Sequence, residues 1–220
     1  IQNGYDEESF EQAESALRER TPLEPGCAIL LHSGIVYPAE RDPTGLMKAL
    51  QQLSQRGVLR PGRLKVRFRA SAHDALITDL AQQHGVLPYV ELLPPVGYRE
   101  ALAEMLRADA LLVMQAANCN DQVPAKVYEY LRSGRPIVSL AEPAGDTAGL
   151  LRESGVESVA LDDAVAIAQR IEAWLAGRAE RLLPSPQSVA AASRRARSAE
   201  LAREFDSIAD ARIATARSVA

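Results

Sequence analysis

The sequence is short of several things, and each shortage excludes a class of protein. Only two cysteines, Cys27 and Cys119, occur in 220 residues. They form neither a CxxC spacing nor a disulfide framework, so a reducing compartment is expected. The three histidines, His32, His73 and His84, share no metal-ligand spacing and read as structural or surface residues. No apolar run approaches the roughly 18–20 residues of a membrane span, and no signal peptide is visible. Lys and Arg number 25 against 29 Asp and Glu, for a net charge of −4, which gives no electrostatic case for nucleic acid. Neither GxxxxGKS/T nor GxGxxG follows an apolar run, so a phosphate-loop ATPase or NAD enzyme is set aside. A starting methionine is missing too: the chain opens at Ile1 and reads as part of a longer protein.

An apolar content of 47% is ample for a core. Residues 109–140, DALLVMQAANCNDQVPAKVYEYLRSGRPIVSL, say most. Residues 110–114 are an apolar run that predicts a buried strand. Residues 115–123 have no helical or strand period. Pro124 is expected at the first helical position, and Gly134 ends the helix as a residue tolerant of positive φ. Residues 137–140 predict a second strand. Strand, loop, helix and strand make a βαβ unit with parallel strands. Val127, Tyr130 and Leu131 are spaced to pack on the sheet. Lys126 and Glu129 lie on another face near the helix start, toward the crevice at the carboxyl ends of the strands, where open parallel sheets bind ligands.

The same alternation fills the chain. Strands are expected at 27–31, 64–70, 89–93 and 158–161. Residues 32–34 form a βα turn. A helix at 44–56 has Asp42 as N-cap, Pro43 at its first position and Leu46, Leu50 and Leu53 inward. A helix at 73–83 buries Leu76, Leu80 and Ala81. One at 98–107 turns Leu102, Met105 and Leu106 inward. Residues 147–154 form a short helix. One at 162–177 is capped by Asp162 or Asp163, with Val165, Ile167, Ile171 and Trp174 apolar. Residues 11–20 fit a short solvated helix or a loop. The tail is rich in Ala and Arg and lacks a strand pattern. Around residues 193–208 it carries a thin stripe of Leu201, Phe205 and Ile208. The pattern predicts an α/β fold, a Rossmann-like doubly wound parallel sheet of about six strands with a C-terminal helical extension. The divisions are 1–26 as an entering segment, 27–180 as the main domain and 181–220 as the extension.

Four stretches carry a family resemblance: IQNGYDEESF, ILLHSGIVYPAERDP, VPAKVYEYLRSGRPIVSL and EPAGDTAGLL. In that order they resemble the hinge segment, first strand and turn, donor-site helix and Gly-Asp loop of the C-terminal half of a GT-B glycosyltransferase, of the retaining family called group 1 or family 4. The third is the most specific. The resemblance implies a nucleotide-sugar donor-binding domain that transfers a sugar from a nucleotide diphosphate to an unknown acceptor, with retention and without a bound metal or other cofactor. It implies an N-terminal partner domain of the same chain, without which the isolated half turns over little. It also implies a cytoplasmic protein or one peripheral to the inner face of the membrane.

On this resemblance Glu129 aligns with the ribose-binding carboxylate. Lys126, Arg41 and the turn at Ser33 and Gly34 fall where the diphosphate would lie. Asp121 stands eight residues before Glu129, where the family has a glutamate that contacts the sugar. Ile35 stands where many relatives have arginine. Each residue also has an ordinary reading. Glu129 suits a helix N-terminus, Lys126 a solvated helix face and Asp121 a loop. Gly34 suits a tight turn, and Arg41 with Asp42 a surface pair. Two other functions fit the same residues: a nucleotide-sugar 2-epimerase half, or a non-catalytic nucleotide-binding module favoured by Ile35 and Asp121.

Overall fold

The computed structural model describes residues 2–17 and 21–218, with side chains through residue 209. Its strands are β1 (Ala28–Ser33), β2 (Leu64–Arg69), β3 (Val90–Leu93), β4 (Ala110–Gln115), β5 (Ile137–Ala141) and β6 (Ser158–Val159). They form one parallel sheet in the order β3-β2-β1-β4-β5-β6. The chain is an α/β Rossmann-like fold with a C-terminal helix.

Period-two alternation divides the apolar residues between the two faces of the sheet. Leu30, Ala110, Leu112, Met114, Val138 and Leu140 face one core. It is closed by α2 (Thr44–Gln55), α3 (Asp74–Gln83) and α7 (Ala164–Leu175). Ile29, Leu31, Leu111, Val113 and Ile137 face the other. That side holds α1 (Glu7–Ala16), α4 (Tyr98–Arg107), α5 (Ala125–Ser133), α6 (Asp146–Glu153) and α8 (Pro186–Ala191). Strands buried on both faces read as continuous apolar runs, as parallel sheets do.

Several local expectations are corrected. β1 runs through Ser33, so the turn begins at Gly34. Pro43 and Pro124 are N-caps rather than first helical residues. Pro124 has ψ 137°, because its ring fixes φ but leaves ψ free for the extended entry. Asp42 still serves the start of α2, accepting from the Thr44 amide at 2.9 Å. In α3 the residues turned fully inward are Ile77 and Ala81, with Leu76 and Leu80 half-buried. In α7 Ala168 is buried and Val165 is exposed. Asp163 caps α7 by accepting from the Ala166 amide. Residue 89 ends a 3₁₀ turn, Leu87–Tyr89, before β3 begins.

The entering segment is built into the molecule. Phe10 and Ala13 of α1 are buried in the second core. Arg132 of α5 holds Glu7 through Nε at 2.8 Å and sits 5.1 Å from the Phe10 ring centroid. Residues 18–20, the end of the stretch read as helix or loop, lie outside the described residues. Tyr5 bonds Ala192 and Arg194 through both its amide and its carbonyl, so the segment and the tail meet as a short bridge. The tail ends in α9 (Arg194–Ser218), which leaves Leu201, Phe205 and Ile208 exposed. Among the described residues no helix is long and apolar enough to cross a membrane.

The last strand stops at Val159 rather than residue 161, and Gly45, buried at the start of α2, locks this helix to the turn between β6 and α7. A Cβ there would stand 2.2 Å from the Leu161 carbonyl oxygen. On an open helix face, glycine to alanine stabilises by about 1 kcal/mol. Here it should destabilise by about 1–3 kcal/mol through overpacking. Thermal unfolding of Gly45→Ala should therefore show a melting temperature lowered by several degrees, and an unchanged or raised one would contradict this packing.

Candidate functional site

Strand order reverses between β1 and β4. The connection from β1 leads to β2 on one side, and that from β4 leads to β5 on the other. The gap between their carboxyl ends is the topological switch point, the usual ligand crevice of such sheets. The candidate residues on β1, the β1–α2 loop and α5 all belong to the two connections that leave this gap.

Gly34 turns the chain out of β1 at φ +114°, a conformation that side chains rarely adopt. A Cβ there would stand 3.0 Å from Lys126 Nζ. Gly34 is thus needed for the turn and for the close approach of the lysine. The turn's backbone donors are largely committed. The Ser33 amide donates to the Tyr130 hydroxyl at 2.9 Å, that of Gly34 to the Arg69 carbonyl, and that of Val36 to the Ser71 carbonyl. Ser33 therefore anchors the turn on α5, and the amide of Ile35 is the one these bonds leave over. Ile35 itself is exposed.

Lys126 crosses the end of the sheet to reach His32 Nε2 at 3.2 Å. His32 is fully buried, and its Nδ1 lies 3.0 Å from the Leu112 carbonyl oxygen. The Ile35 carbonyl also faces the ring. Assigning the proton to Nδ1, where the Leu112 carbonyl can only accept, leaves Nε2 of the neutral ring to accept from Lys126. Burial, then the nearby Lys126 charge, holds the His32 pKa well below its ordinary value. Burial also pulls Lys126 down to about 7, helped by Arg41 and opposed by Glu129. Arg41 donates to the Ile35 carbonyl at 3.3 Å and lies over the Tyr37 ring, 4.9 Å from its centroid. Its partners are thus Ile35 and Tyr37, and no ion pair with Asp42 occurs among the described residues.

Glu129 sits one turn further along α5 and points another way. Its Oε1 accepts from the hydroxyl of Tyr98, the first residue of α4, at 2.8 Å. Burial raises the Glu129 pKa, while the Tyr98 bond, Lys126 and Arg194 oppose the rise. Tyr98 is exposed, and partial burial with the carboxylate beside it pushes its hydroxyl up to about 12. No side chain caps α5; the Val127 amide donates to the Pro124 carbonyl, and the amides of Ala125 and Lys126 precede it at the helix start.

Asp121 is exposed on the β4–α5 loop, and no bond joins it to the other candidates among the described residues. The loop is held from within. Gln115 Nε2 donates to the Cys119 and Gln122 carbonyls, and the single Thr147 hydroxyl proton is shared between Gln115 Oε1 and the Gln122 carbonyl. A cavity of 390 Å³ opens along the same sheet edge, lined by Asp42, Lys48, Gln115, Glu142 and Asp162 among others. None of the sequence-derived candidates lines it.

Sequence reading missed three features. His32 and Tyr98 act on Lys126 and Glu129 from 94 and 31 residues away. In addition, Ala70 and Ala72 have φ of 57° and 60° where the β2–α3 loop meets the Gly34 turn. Each costs about 1–2 kcal/mol in a non-glycine residue. Glycine at these positions would have been the visible signal, and the sequence has alanine.

No protein-family model matches the chain, and a search of curated proteins found no match. Solved structures do match. Sucrose-phosphate synthase from Thermosynechococcus elongatus aligns at a TM-score of 0.69 and 18% identity, over 96% of this chain and 52% of that one. An α,α-trehalose 6-phosphate synthase from Burkholderia multivorans aligns at 0.70 and 15%, over 95% and 50%. Anabaena HepE in complex with UDP and glucose aligns at 0.63 and 16%, over 94% and 56%. These are GT-B glycosyltransferases, and the chain has the fold of about half of each. It spans about half the length of the structures it matches.

Because its folded pKa is raised, Glu129 adds stability only where it is protonated. That contribution is present below its unfolded pKa and is lost as pH rises through the folded value. Its charge is therefore a net cost at neutral pH. Glu129→Gln should melt no lower than the native protein at pH 7, and the two should converge near about pH 4, where the native carboxyl is protonated. A clear drop in melting temperature at pH 7 would show that the charge supports the fold.

Proposed function

We propose that the chain is the donor-binding half of a glycosyltransferase, acting on a nucleotide diphosphate sugar. The observation that carries this reading is Glu129: a half-buried carboxylate that burial pushes toward its neutral form, bonded to Tyr98 and one turn along α5 from Lys126. Carboxylates shifted by burial beside a crevice cluster at functional sites. A ribose diol would supply the hydrogen bonds that burial withholds.

In this reading Glu129 accepts from the ribose hydroxyls. The diphosphate lies between the Gly34 turn and the opening of α5, met by Lys126, Arg41, the Ile35 amide and the first amides of the helix. The same donors would stabilise charge on the departing diphosphate as the sugar leaves. No metal is invoked for this step. Ser33 takes no direct part and instead holds the turn against Tyr130. Asp121 is assigned to the sugar, reaching it from the β4–α5 loop. HepE, solved with UDP and glucose, shares this fold. It supports a nucleotide-sugar donor here and makes UDP the first nucleotide to test. The acceptor and the completion of the cleft are assigned to an N-terminal half of the same protein. Transfer with retention follows the family resemblance, and the exposed stripe of Leu201, Phe205 and Ile208 on α9 is assigned to packing on that half.

The test is calorimetric titration of the folded chain with UDP, GDP, ADP and dTDP. One of the four should bind saturably. Glu129→Gln keeps the shape and removes the charge, which strengthens each hydrogen bond to about 1.5–3 kcal/mol. It should weaken that binding by about tenfold or more, each 1.4 kcal/mol being a factor of ten. Equal affinity in the two proteins would remove Glu129 from the site.

A further inference from the structure

The crevice holds more basic groups than its carboxylates balance. Lys126 reaches His32 from α5, and Arg41 faces it from the β1–α2 loop. Glu129, on the lysine's own helix, is turned away onto Tyr98. Among the described residues no carboxylate lies within ion-pair reach of Lys126. The hydrogen bond Lys126 does make is to a neutral imidazole whose other nitrogen is fixed on the Leu112 carbonyl. An ammonium in such a place is largely screened from water and has no ion-pair partner, Glu129 acting on it only from a distance, and burial lowers its basicity accordingly.

We propose that Lys126 takes up a proton from solvent when a nucleotide diphosphate binds, and that His32 is the positioning residue that aims it. The inference rests on the nucleotide reading given above. In the free protein a neutral Lys126 amine donates to His32 Nε2. When the diphosphate enters between Gly34 and the start of α5, the Nζ lone pair takes a proton from water or buffer. The resulting ammonium keeps one N–H on His32 and turns the others to the phosphate oxygens. His32 stays neutral throughout, since a second ring proton would remove the acceptor and add a positive charge against Lys126. Binding of the anion and binding of the proton are then linked.

The experiment is calorimetry of the same four nucleoside diphosphates, in paired buffers of different ionisation heat, between about pH 7 and 9. The phosphate, with a second pKa of about 6, is about nine-tenths ionised at pH 7 and essentially fully ionised from about pH 8 upward, where the proton count is read. The chain should take up about one proton per nucleotide at the upper end. Its affinity should fall toward tenfold per pH unit as the free lysine loses its proton. The Lys126 Cε resonance, assigned with Lys126→Arg, identifies the titrating group. It should be that of a neutral amine in the free chain at high pH and of a charged one in the complex. His32→Asn keeps a donor for Leu112 and withdraws the acceptor from Lys126, so it should weaken binding severalfold. His32→Gln, which again places an acceptor near Nζ, should recover it. Saturable binding without proton uptake, or a free Lys126 that stays charged up to pH 9, overturns the proposal and leaves the nucleotide reading standing. A folded His32→Asn that binds like the native protein removes the positioning role. If none of the four nucleotides binds the native chain, the nucleotide reading fails and the proposal goes with it.

Discussion

The pairing of β1 with β4 is the constraint on which the rest of the molecule depends. Its two registered pairs, Leu30 with Ala110 and Leu31 with Leu111, join strands that lie 80 residues apart. Everything before it in the sheet is wound one way and everything after it the other. Because both strands are parallel and both are followed by helices, the pairing sets the exit of β1 beside the start of α5. The Ser33 amide then meets the Tyr130 hydroxyl and Lys126 meets Gly34. No other neighbouring pair of strands in the order opens such a gap.

The crevice is built at some cost to stability. Glu129 and Lys126 are both pushed toward their neutral forms by burial; each charge offsets part of the other's shift, but the two form no ion pair among the described residues. Ala70 and Ala72 hold a left-handed backbone where the β2–α3 loop supports the Gly34 turn. By contrast, several charges elsewhere in the fold are well partnered, the buried Nε of Arg197 on α9 being an exception. Arg67 and Arg69 of β2 share Glu104 of α4, with Glu91 of β3 completing the group. Arg132 is matched by Glu7 and Glu14. Under-compensated charge and backbone strain are concentrated at the switch point, the pattern expected where a protein must receive a ligand.

The sheet was legible because burial on both faces leaves strands as apolar runs, and helices between them repeat at i, i+3 and i+4. The boundaries were less so. Pro43 and Pro124 look like first helical residues because their φ suits that position, yet both cap, since ψ is decided by the incoming chain. Val165 and Leu76 have the right spacing but lie one step off the buried arc, which tertiary packing sets. Of the site, the residue types were readable and their partners were not. The resemblance singled out Glu129 and Lys126. Nothing local to either could reveal that the first is held by Tyr98 or that the second rests on a buried His32. Gly34 was readable as a turn, and its second role, making room for Lys126, appears only when α5 is packed across the end of β1.

The central claim is that a nucleotide diphosphate occupies the gap between β1 and β4. Amide chemical-shift mapping of the full chain during titration with UDP, GDP, ADP and dTDP tests it most directly. The largest perturbations from the nucleotide that binds should fall together on Gly34, Ile35, Ala125, Lys126 and Glu129, on both sides of the gap. Perturbations confined to the cavity lined by Lys48, Glu142 and Asp162, with the Gly34 turn and the start of α5 unmoved, would contradict it.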